Sequence, residues 1–540
     1  MRGQRIRGTV VAMVFGIVFT LAGFAQERHA FHEIPVVPAA ILERPVPLRS
    51  GIGVTHDAVT TSSPEAQRFY DQGLEYIHDY VWIEAARSFN QALRLDPNLA
   101  LAYVGLSSAY TGMNQSAAAR RALERAATLA TAAAEHDRVH VAIRQRQIAA
   151  EDAPRDATKL GAYRKALDDA LAGFPADVEL WLQRGVAESP DPADRGQGGV
   201  PSSIPYYERA LTLVPDHFAA HHYLTHAHEN SGRVQEALRH GAAYASQAPE
   251  VPHARHMYGH DLRRVGRITE AIAEFEAADG LESAYFKAED ISPEYDWHYE
   301  HNLDLLAMSY QYVGQVAKAE RLLKAAFELP TGNLVQAFNK REWPLFLRSR
   351  GRGDEAMAAA AALIAHPHAV VQAIGHIEMG HLQLLKGRFA DAAAEANAAL
   401  PVIKSGAAGS GLLALPFEAL QGEFFLRTGQ RDKGRAMLEA MIKKARTAPG
   451  PDEWSQALFT LEAIARTARE TGEWALARGV AREMLDHDPA YAGTHYALAL
   501  AAEQQGNRAA ARAEFALSEK YWSNADRDLM ELQDIRRRTR

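Results

Sequence analysis

The chain has 540 residues, of which 47% are hydrophobic and 23% charged, and its formal net charge is −8. This composition is typical of a folded protein rather than a disordered one, and the length exceeds that of a single compact core. The sequence lacks the basic block that nucleic-acid-binding proteins usually carry, so we predict no nucleic-acid partner. It contains no cysteine, which excludes disulfides, thiolate metal sites and cysteine nucleophiles.

The N-terminus has the pattern of a secretory signal peptide. Arg2, Arg5 and Arg7 precede an uncharged apolar run that ends in small residues near Ala25. We therefore predict a cleaved signal peptide over residues 1–25 and a periplasmic or secreted protein. The alternative is an uncleaved N-terminal membrane anchor, because the run is close to the lower limit for spanning a bilayer. No later segment is apolar enough for a span, so we predict no stable membrane span after cleavage.

Residues 26–63 contain four prolines and no helical period, which predicts a Pro-rich linker or an extended lead-in. After them, a pattern of small and large apolar residues recurs with a period of about 34 residues. Small residues let two helices approach, large apolar residues fill the space between them, and a proline ends the second helix. The first copy consists of Phe69, Gly73, Tyr76, Ala85, Phe89, Ala92 and Pro97.

This spacing resembles that of tetratricopeptide repeat (TPR) proteins, and the resemblance covers residues 64–522. It implies an all-α TPR solenoid, a right-handed superhelix of about 11–12 antiparallel helix pairs with a concave inner face. Degenerate units lie around residues 134–175 and 337–365. Residues 523–540 are highly charged and are predicted to form a capping helix or a tail. The resemblance implies that a protein or peptide partner binds in the concave groove.

Histidines are concentrated in the middle of the chain. His222 and His226 form one H-x-x-x-H pair, and His256 and His260 form another pair 34 residues later. Residues four apart share a helix face, and residues one repeat apart take equivalent places on neighbouring units. We therefore expect the four imidazoles to converge on one patch of the groove. In the TPR frame the remaining residues that face this patch are Glu229, His253, His301, Asp304 and Met308.

Side chains of this kind on adjacent helices can reach a common metal ion. Imidazole and carboxylate without thiolate favour zinc, copper, nickel or iron over magnesium or calcium. His222, His226, His256, His260 and His301 are the predicted ligands. Glu229 and Asp304 are predicted as further ligands, as hydrogen-bond partners of the imidazoles or as a general base. His253, Met257 and Met308 are predicted to border the site as part of the ligand groove.

The same stretch resembles a group of secreted bacterial TPR proteins of unassigned function, which carry paired histidines in three successive helices. The counterparts here are HHYLTHAHE (221–229), HMYGHDL (256–262) and HNLDLL (301–306). Asp304 stands where that group places a histidine, so the site here would not consist of imidazoles alone. The resemblance implies a shared site and does not indicate a substrate.

Two functions therefore remain open. The first is an exported interaction scaffold with a His-rich groove. The second is a metal-binding protein that uses the histidine cluster, and metal-dependent hydrolysis is one activity that such a site would support. A separate motif, HDRVH (136–140), resembles the H-E-x-x-H of metalloproteases with aspartate in place of glutamate. We interpret it as a solvated helix surface, because the shorter side chain would misplace a catalytic base.

Overall fold

The computed structural model describes residues 35–331, 334–407, 409–447 and 453–540, and this part of the chain is α-helical without strands. The predicted signal peptide over residues 1–25 lies outside the described residues. Twelve consecutive helix pairs, α2/α3 to α14/α15 and α17/α18 to α25/α26, form the array. In its first half the helices are α1 (Ala39–Leu42), α2 (Pro64–His78), α3 (Trp82–Leu95), α4 (Ala100–Gly112), α5 (Ser116–Ala130), α6 (Glu135–Glu151), α7 (Ala157–Gly173), α8 (Val178–Val186), α9 (Ile204–Leu213), α10 (Phe218–Asn230), α11 (Val234–Gln247), α12 (Pro252–Arg264), α13 (Ile268–Glu289), α14 (Tyr299–Tyr312) and α15 (Val316–Glu328).

The second half continues the pairing after the single helix α16. Its helices are α16 (Leu334–Asn339), α17 (Glu342–Ser349), α18 (Gly353–Ile364), α19 (Ala369–Leu385), α20 (Phe389–Lys404), α21 (Ala414–Arg427), α22 (Arg431–Thr447), α23 (Glu453–Glu470), α24 (Trp474–His487), α25 (Ala492–Gln504), α26 (Arg508–Tyr521) and α27 (Met530–Thr539). Both degenerate stretches of the sequence fold as helix pairs, α6/α7 and α17/α18. The predicted all-α, TPR-like helical array is therefore confirmed.

A glycine on the first helix of a pair accepts an aromatic ring from the second. In the first unit the Phe89 ring is fully buried and lies against Gly73 of α2 and Gly105 of α4. A Cβ added at Gly73 would lie 2.5 Å from the Phe89 ring. The ring therefore fixes how closely neighbouring helices stack.

Glycine also sets the turn between the two helices of a pair. Gly232 and Gly266 follow α10 and α12 with φ angles of 71° and 81°, in the left-handed region that side chains disfavour. Because these two turns are 34 residues apart, α10 and α12 begin their units in the same orientation. This places residues one period apart side by side.

The lead-in segment is packed against the array. In residues 35–63 the side chains of Val37, Leu42, Val46 and Ile52 are buried in the same hydrophobic cluster as the first repeats. The first repeats also contact a much later element, because Arg87 of α3 pairs with Glu289 at the end of α13, at 2.9 Å. The N-terminal part of the array thus folds back over the inner faces of α10, α12 and α14.

The C-terminal residues pack against the middle of the chain. The Trp522 indole nitrogen donates to the carbonyl of Tyr312 at 3.3 Å, and the Asp526 amide donates to the carbonyl of Gly314 at 3.0 Å. In α27, Leu532 and Ile535 are buried. Within the described residues, no helix is both long and apolar enough to cross a lipid bilayer.

The glycine–aromatic contact predicts opposite effects for two Gly→Ala substitutions. Gly73→Ala should lower the free energy of unfolding by about 1–3 kcal/mol, because the Phe89 ring cannot move away. Gly280→Ala, in α13 where an added Cβ meets nothing within 4 Å, should raise it by about 0.5–1 kcal/mol. Urea unfolding followed by circular dichroism measures both, and equal effects would contradict the packing described here.

A buried ion pair in the second half predicts a pH dependence. Glu423 is 3% exposed and accepts from His381 Nδ1 at 2.6 Å and from Arg427 Nε at 2.7 Å. Burial by itself raises the pKa of Glu423, but the contacts with His381 and Arg427 prevail and lower it to about 2. Its contribution to stability is therefore present above the unfolded value of about 4.5 and is lost as the pH falls towards 2.

Glu423→Gln should accordingly destabilise the protein by about 3 kcal/mol near pH 7, and the difference from wild type should shrink below pH 4.5. The matched control is Glu395→Gln. Glu395 makes an equally short contact with His376, which lies on α19 as His381 does, but Glu395 is only half-buried. That control should cost about 0–1 kcal/mol. Urea midpoints at pH 7 and pH 3 test the pair, and equal losses for the two variants at pH 7 would refute the assignment.

Candidate metal centre

Helices α10, α12 and α14 and the loop before α14 gather seven imidazoles in the interior of the N-terminal half. Six of them are at most 7% exposed, and His301 is partly exposed. The seven residues are His222, His226, His253, His256, His260, His298 and His301. The sequence predicted an open groove at this position, but the first repeats and the lead-in segment cover it.

Three imidazoles form the first set of donors. His222 Nε2 lies 3.1 Å from His226 Nε2 and 3.1 Å from His253 Nε2. One ligand atom from each residue lies within 4.8 Å of the others. His222 Nδ1 donates to the backbone carbonyl of His78 at 2.7 Å, which fixes the tautomer and leaves the Nε2 lone pair facing the other two rings.

His256, His260 and His301 form the second set, in which one ligand atom from each again lies within 4.8 Å of the others. The ring centroids of His256 and His260 are 4.7 Å apart, and those of His256 and His301 are 4.9 Å apart. His256 Nδ1 donates to the Asn302 side-chain oxygen at 2.9 Å, because the Asn302 amide nitrogen is occupied by the Phe275 carbonyl. The lone pair of His256 is therefore on Nε2, as it is for His222 in the first set.

His298 connects the two sets. Its ring centroid lies 4.9 Å from that of His253 and 4.3 Å from that of His256. Its Nδ1 contacts Glu282 Oε1 at 2.6 Å, and its buried Nε2 has no hydrogen-bond partner among the described residues. The centre is thus one continuous cluster of imidazoles that reaches from α10 to α14.

Four imidazoles of this cluster are held neutral by burial. Burial, reinforced by the charges that neighbouring imidazoles would carry, lowers the pKa of four of them well below 6.5: His222, His253, His256 and His298. A neutral imidazole is the form that binds a metal ion. Burial therefore favours the ligating form of these four imidazoles.

The other residues predicted for the site lie around it. Glu229 is buried, and its Oε1 is 3.6 Å from His260 Nδ1 and 3.8 Å from Arg264. Asp304 is buried outside both three-histidine sets, and burial together with Glu300 raises its pKa well above the usual range. Met257 and Met308 belong to separate hydrophobic clusters.

Two further histidines of this region, His221 and His228, pack against His240 of α11. His221 Nδ1 lies 2.8 Å from His240 Nδ1, and the His228 ring stacks on the His240 ring. They do not face the centre.

Sequence reasoning missed two histidines, and each is held by a carboxylate. His78 lies at the end of α2, 144 residues before His222, and contacts Glu179 Oε2 at 2.9 Å. His298 lies just before α14, outside the repeat frame. The sequence carries no signal for either residue, because the repeat frame does not show that positions 78 and 298 come close to the histidines of α10 and α12.

A cavity of about 240 Å³ lies beside the first set of histidines. Tyr80 and Trp297 form its wall towards the centre, and Arg120, Glu151 and Arg195 line its outer part. The Tyr80 ring centroid is 4.7 Å from that of His222, and the Trp297 ring centroid is 5.7 Å from that of His253.

Tyr80 is held in an unusual backbone conformation at this wall. Its φ of 61° lies in the left-handed region, which costs a residue other than glycine about 1–2 kcal/mol. The Tyr80 hydroxyl donates to the Arg195 carbonyl at 2.8 Å, and its own carbonyl accepts from the Trp297 indole at 3.3 Å. These contacts keep the ring against the histidines.

No protein-family model matches the chain, and no curated protein matches it by sequence. Among solved structures it is similar to the human IFIT1 dimer with PPP-AAAA, with 12% identity over 78% of this chain and 90% of that one, and a TM-score of 0.39. A tetratricopeptide repeat protein from Parabacteroides merdae gives 14% identity, 51% and 99% coverage, and a TM-score of 0.33. Yeast Tom70 gives 14% identity, 87% and 94% coverage, and a TM-score of 0.32. At these scores the likeness carries no argument, so the fold assignment rests on the helix pairs described above.

Proposed function

We propose that this protein binds transition-metal ions in an enclosed histidine centre, one ion at His222, His226 and His253 and another at His256, His260 and His301. The observation that carries the proposal is the convergence of three buried Nε2 atoms, two of the distances being 3.1 Å, with His222 fixed by a backbone carbonyl. We further propose that the protein is exported, because residues 1–25 have the pattern of a signal peptide.

Hydrogen bonds alone do not account for the first set. His222 Nδ1 carries the proton that is donated to the His78 carbonyl, so a neutral His222 has a single lone pair at Nε2. Two imidazoles approach that one lone pair at the same distance, and it can accept only one good hydrogen bond. A metal ion bound by all three lone pairs removes the conflict. Donor atoms of a tetrahedral ion at 2.0–2.1 Å are separated by about 3.3 Å, close to the distances observed.

The donor set indicates which metal and which chemistry. Imidazoles without thiolate suit zinc, copper, nickel or iron. Three protein ligands leave one coordination position for water or a substrate, which is the arrangement of catalytic rather than structural zinc sites. We therefore infer that hydrolysis by a metal-bound water is the activity to test first. Glu229, buried beside His260, is the carboxylate placed to act as a base or to orient His260.

The enclosure of the centre bears on the second predicted function, an interaction scaffold with a peptide in the groove. Six of the seven imidazoles are at most 7% exposed, so a peptide backbone has no room to lie along them. The cavity beside Tyr80 and Trp297 can admit an ion or a small molecule. A scaffold role therefore belongs to the faces of the array outside this centre.

Loss of one ligand from each set should remove the metal. After equilibrium dialysis against zinc, we expect His226→Ala/His260→Ala to retain two fewer ions than wild type by elemental analysis, and each single variant one fewer. The matched control is His376→Ala, because His376 pairs with Glu395 outside the centre. Circular dichroism verifies folding. A wild-type protein with no more zinc than the double variant would eliminate the proposal.

The hydrogen bond from His256 to Asn302 predicts a graded effect on affinity. Asn302→Ala should weaken zinc binding at the second set about 10–100-fold, because His256 loses the acceptor that orients its Nε2. Asn302→Asp keeps an acceptor at the same position and should retain most of the affinity. Competition with a chromophoric chelator measures both variants. Equal affinities for Asn302→Ala and wild type would show that Asn302 does not orient a ligand.

A further inference from the structure

We propose that Asp57, His136, His140 and Asp177 form a separate binding site for a divalent transition metal with mixed nitrogen and oxygen ligands, such as zinc. None of these residues belongs to the histidine centre. One ligand atom from each lies within 4.8 Å of the other three. The site lies where the lead-in segment meets α6 and the start of α8.

Local structure explains why these four side chains meet. His136 and His140 are one turn apart on α6 and point the same way. Asp177 is the N-cap of α8, and Asp57 comes from the lead-in segment. His136 Nε2 is 3.2 Å from Asp57 Oδ1 and 3.1 Å from Asp177 Oδ2, and His140 Nε2 is 2.8 Å from the same Asp177 oxygen. These distances are close to the edges of a coordination tetrahedron, about 3.3 Å.

The second oxygen of each carboxylate is already occupied, so only one oxygen faces the group. Asp177 Oδ1 accepts from the Leu180 amide at 3.0 Å as the helix cap. Asp57 Oδ2 accepts from the Tyr70 hydroxyl at 2.9 Å. Each aspartate therefore presents a single oriented donor, as a monodentate metal ligand does.

A third carboxylate orients one of the histidines. Asp137 Oδ1 lies 3.4 Å from His136 Nδ1, and Asp137 Oδ2 accepts from the Thr60 amide at 3.0 Å. This arrangement of carboxylate, imidazole and donor atom is the one that usually supports a metal-bound histidine. The aspartate of HDRVH is thus placed to position His136 rather than to act as a catalytic base.

The interpretation of HDRVH as a solvated helix surface was wrong. Asp137 is 1% exposed and His140 is 5% exposed. The reason lies outside the motif, because the lead-in segment and the start of α8 cover this face of α6. The sequence could not show that Asp57 and Asp177 would supply two more ligands.

Without a cation, ion pairs hold the same four groups. His136 contacts Asp57 and Asp177, and His140 contacts Asp177. A metal ion bound at this site would displace the protons of the two imidazoles and take their place between the same carboxylates. Elemental analysis distinguishes the ion-paired state from the metal-bound state, because only the second contains a metal ion.

The site has a structural consequence. Asp57 belongs to the lead-in segment, which also reaches the start of α10, because Thr55 Oγ1 is 3.3 Å from both Glu179 Oε1 and His217 Nε2. A cation bound by four protein ligands is of the closed, structural type. It would fasten the lead-in segment to α6 and α8.

The test is the zinc content of the whole protein after equilibrium dialysis, measured by elemental analysis. Asp177→Asn keeps an N-cap oxygen but loses the charged ligand, and Asp57→Asn keeps the acceptor for Tyr70. Each should hold one zinc ion fewer than wild type. The matched control is Asp156→Asn, because Asp156 also caps a helix, α7, through the Thr158 amide but does not belong to this cluster. It should bind as much zinc as wild type.

Zinc contents equal to wild type in both Asp177→Asn and Asp57→Asn, with folding verified by circular dichroism, would show that the cluster holds ion pairs only and would overturn the proposal. The result is independent of the histidine centre. If the centre binds no metal, wild type should hold the one ion that Asp177→Asn lacks. If both proposals hold, Asp177→Asn should lose one ion and His226→Ala/His260→Ala two.

Discussion

The close stacking of successive first helices is the constraint on which the rest of this structure depends. Buried rings such as Phe89 lie against glycines of two neighbouring helices, and left-handed glycines after α10 and α12 repeat the same turn at the same period. Side chains four apart on one helix then face their equivalents on the next. Without that stacking, His222 and His256 would lie on separate surfaces, and no group of imidazoles would form.

Enclosure gives the stacked histidines their chemistry. The lead-in segment and the first two repeats cover α10, α12 and α14. The carbonyl of His78 accepts a hydrogen bond from the protonated Nδ1 of His222. Burial keeps four of the imidazoles neutral and makes any lone pair without a partner costly. Burial thus leaves lone pairs unprotonated, and coordination by several of them would offset the cost of burying a metal ion.

The two proposed kinds of site use the same local device in different surroundings. Each places two histidines four residues apart on a helix. The centre surrounds its pairs with other imidazoles and leaves a coordination position open. The site at His136 and His140 adds two carboxylates, each already fixed by one hydrogen bond, and is closed. The first arrangement suits chemistry on a bound molecule, whereas the second suits attachment of the lead-in segment.

The sequence by itself determined the helical array and its period, because glycine, alanine and aromatic positions recur in a pattern typical of helix pairs. It also determined that His222, His226, His256 and His260 share one side of the array, because register follows from spacing. Tertiary structure decided that this side is enclosed, that His253 joins the first set, and that His78 and His298 contact the cluster. It also brought Asp57 and Asp177 to α6. Those contacts join residues far apart in the chain through the path of the lead-in segment and the fold-back of the first repeats, and no local pattern encodes that path.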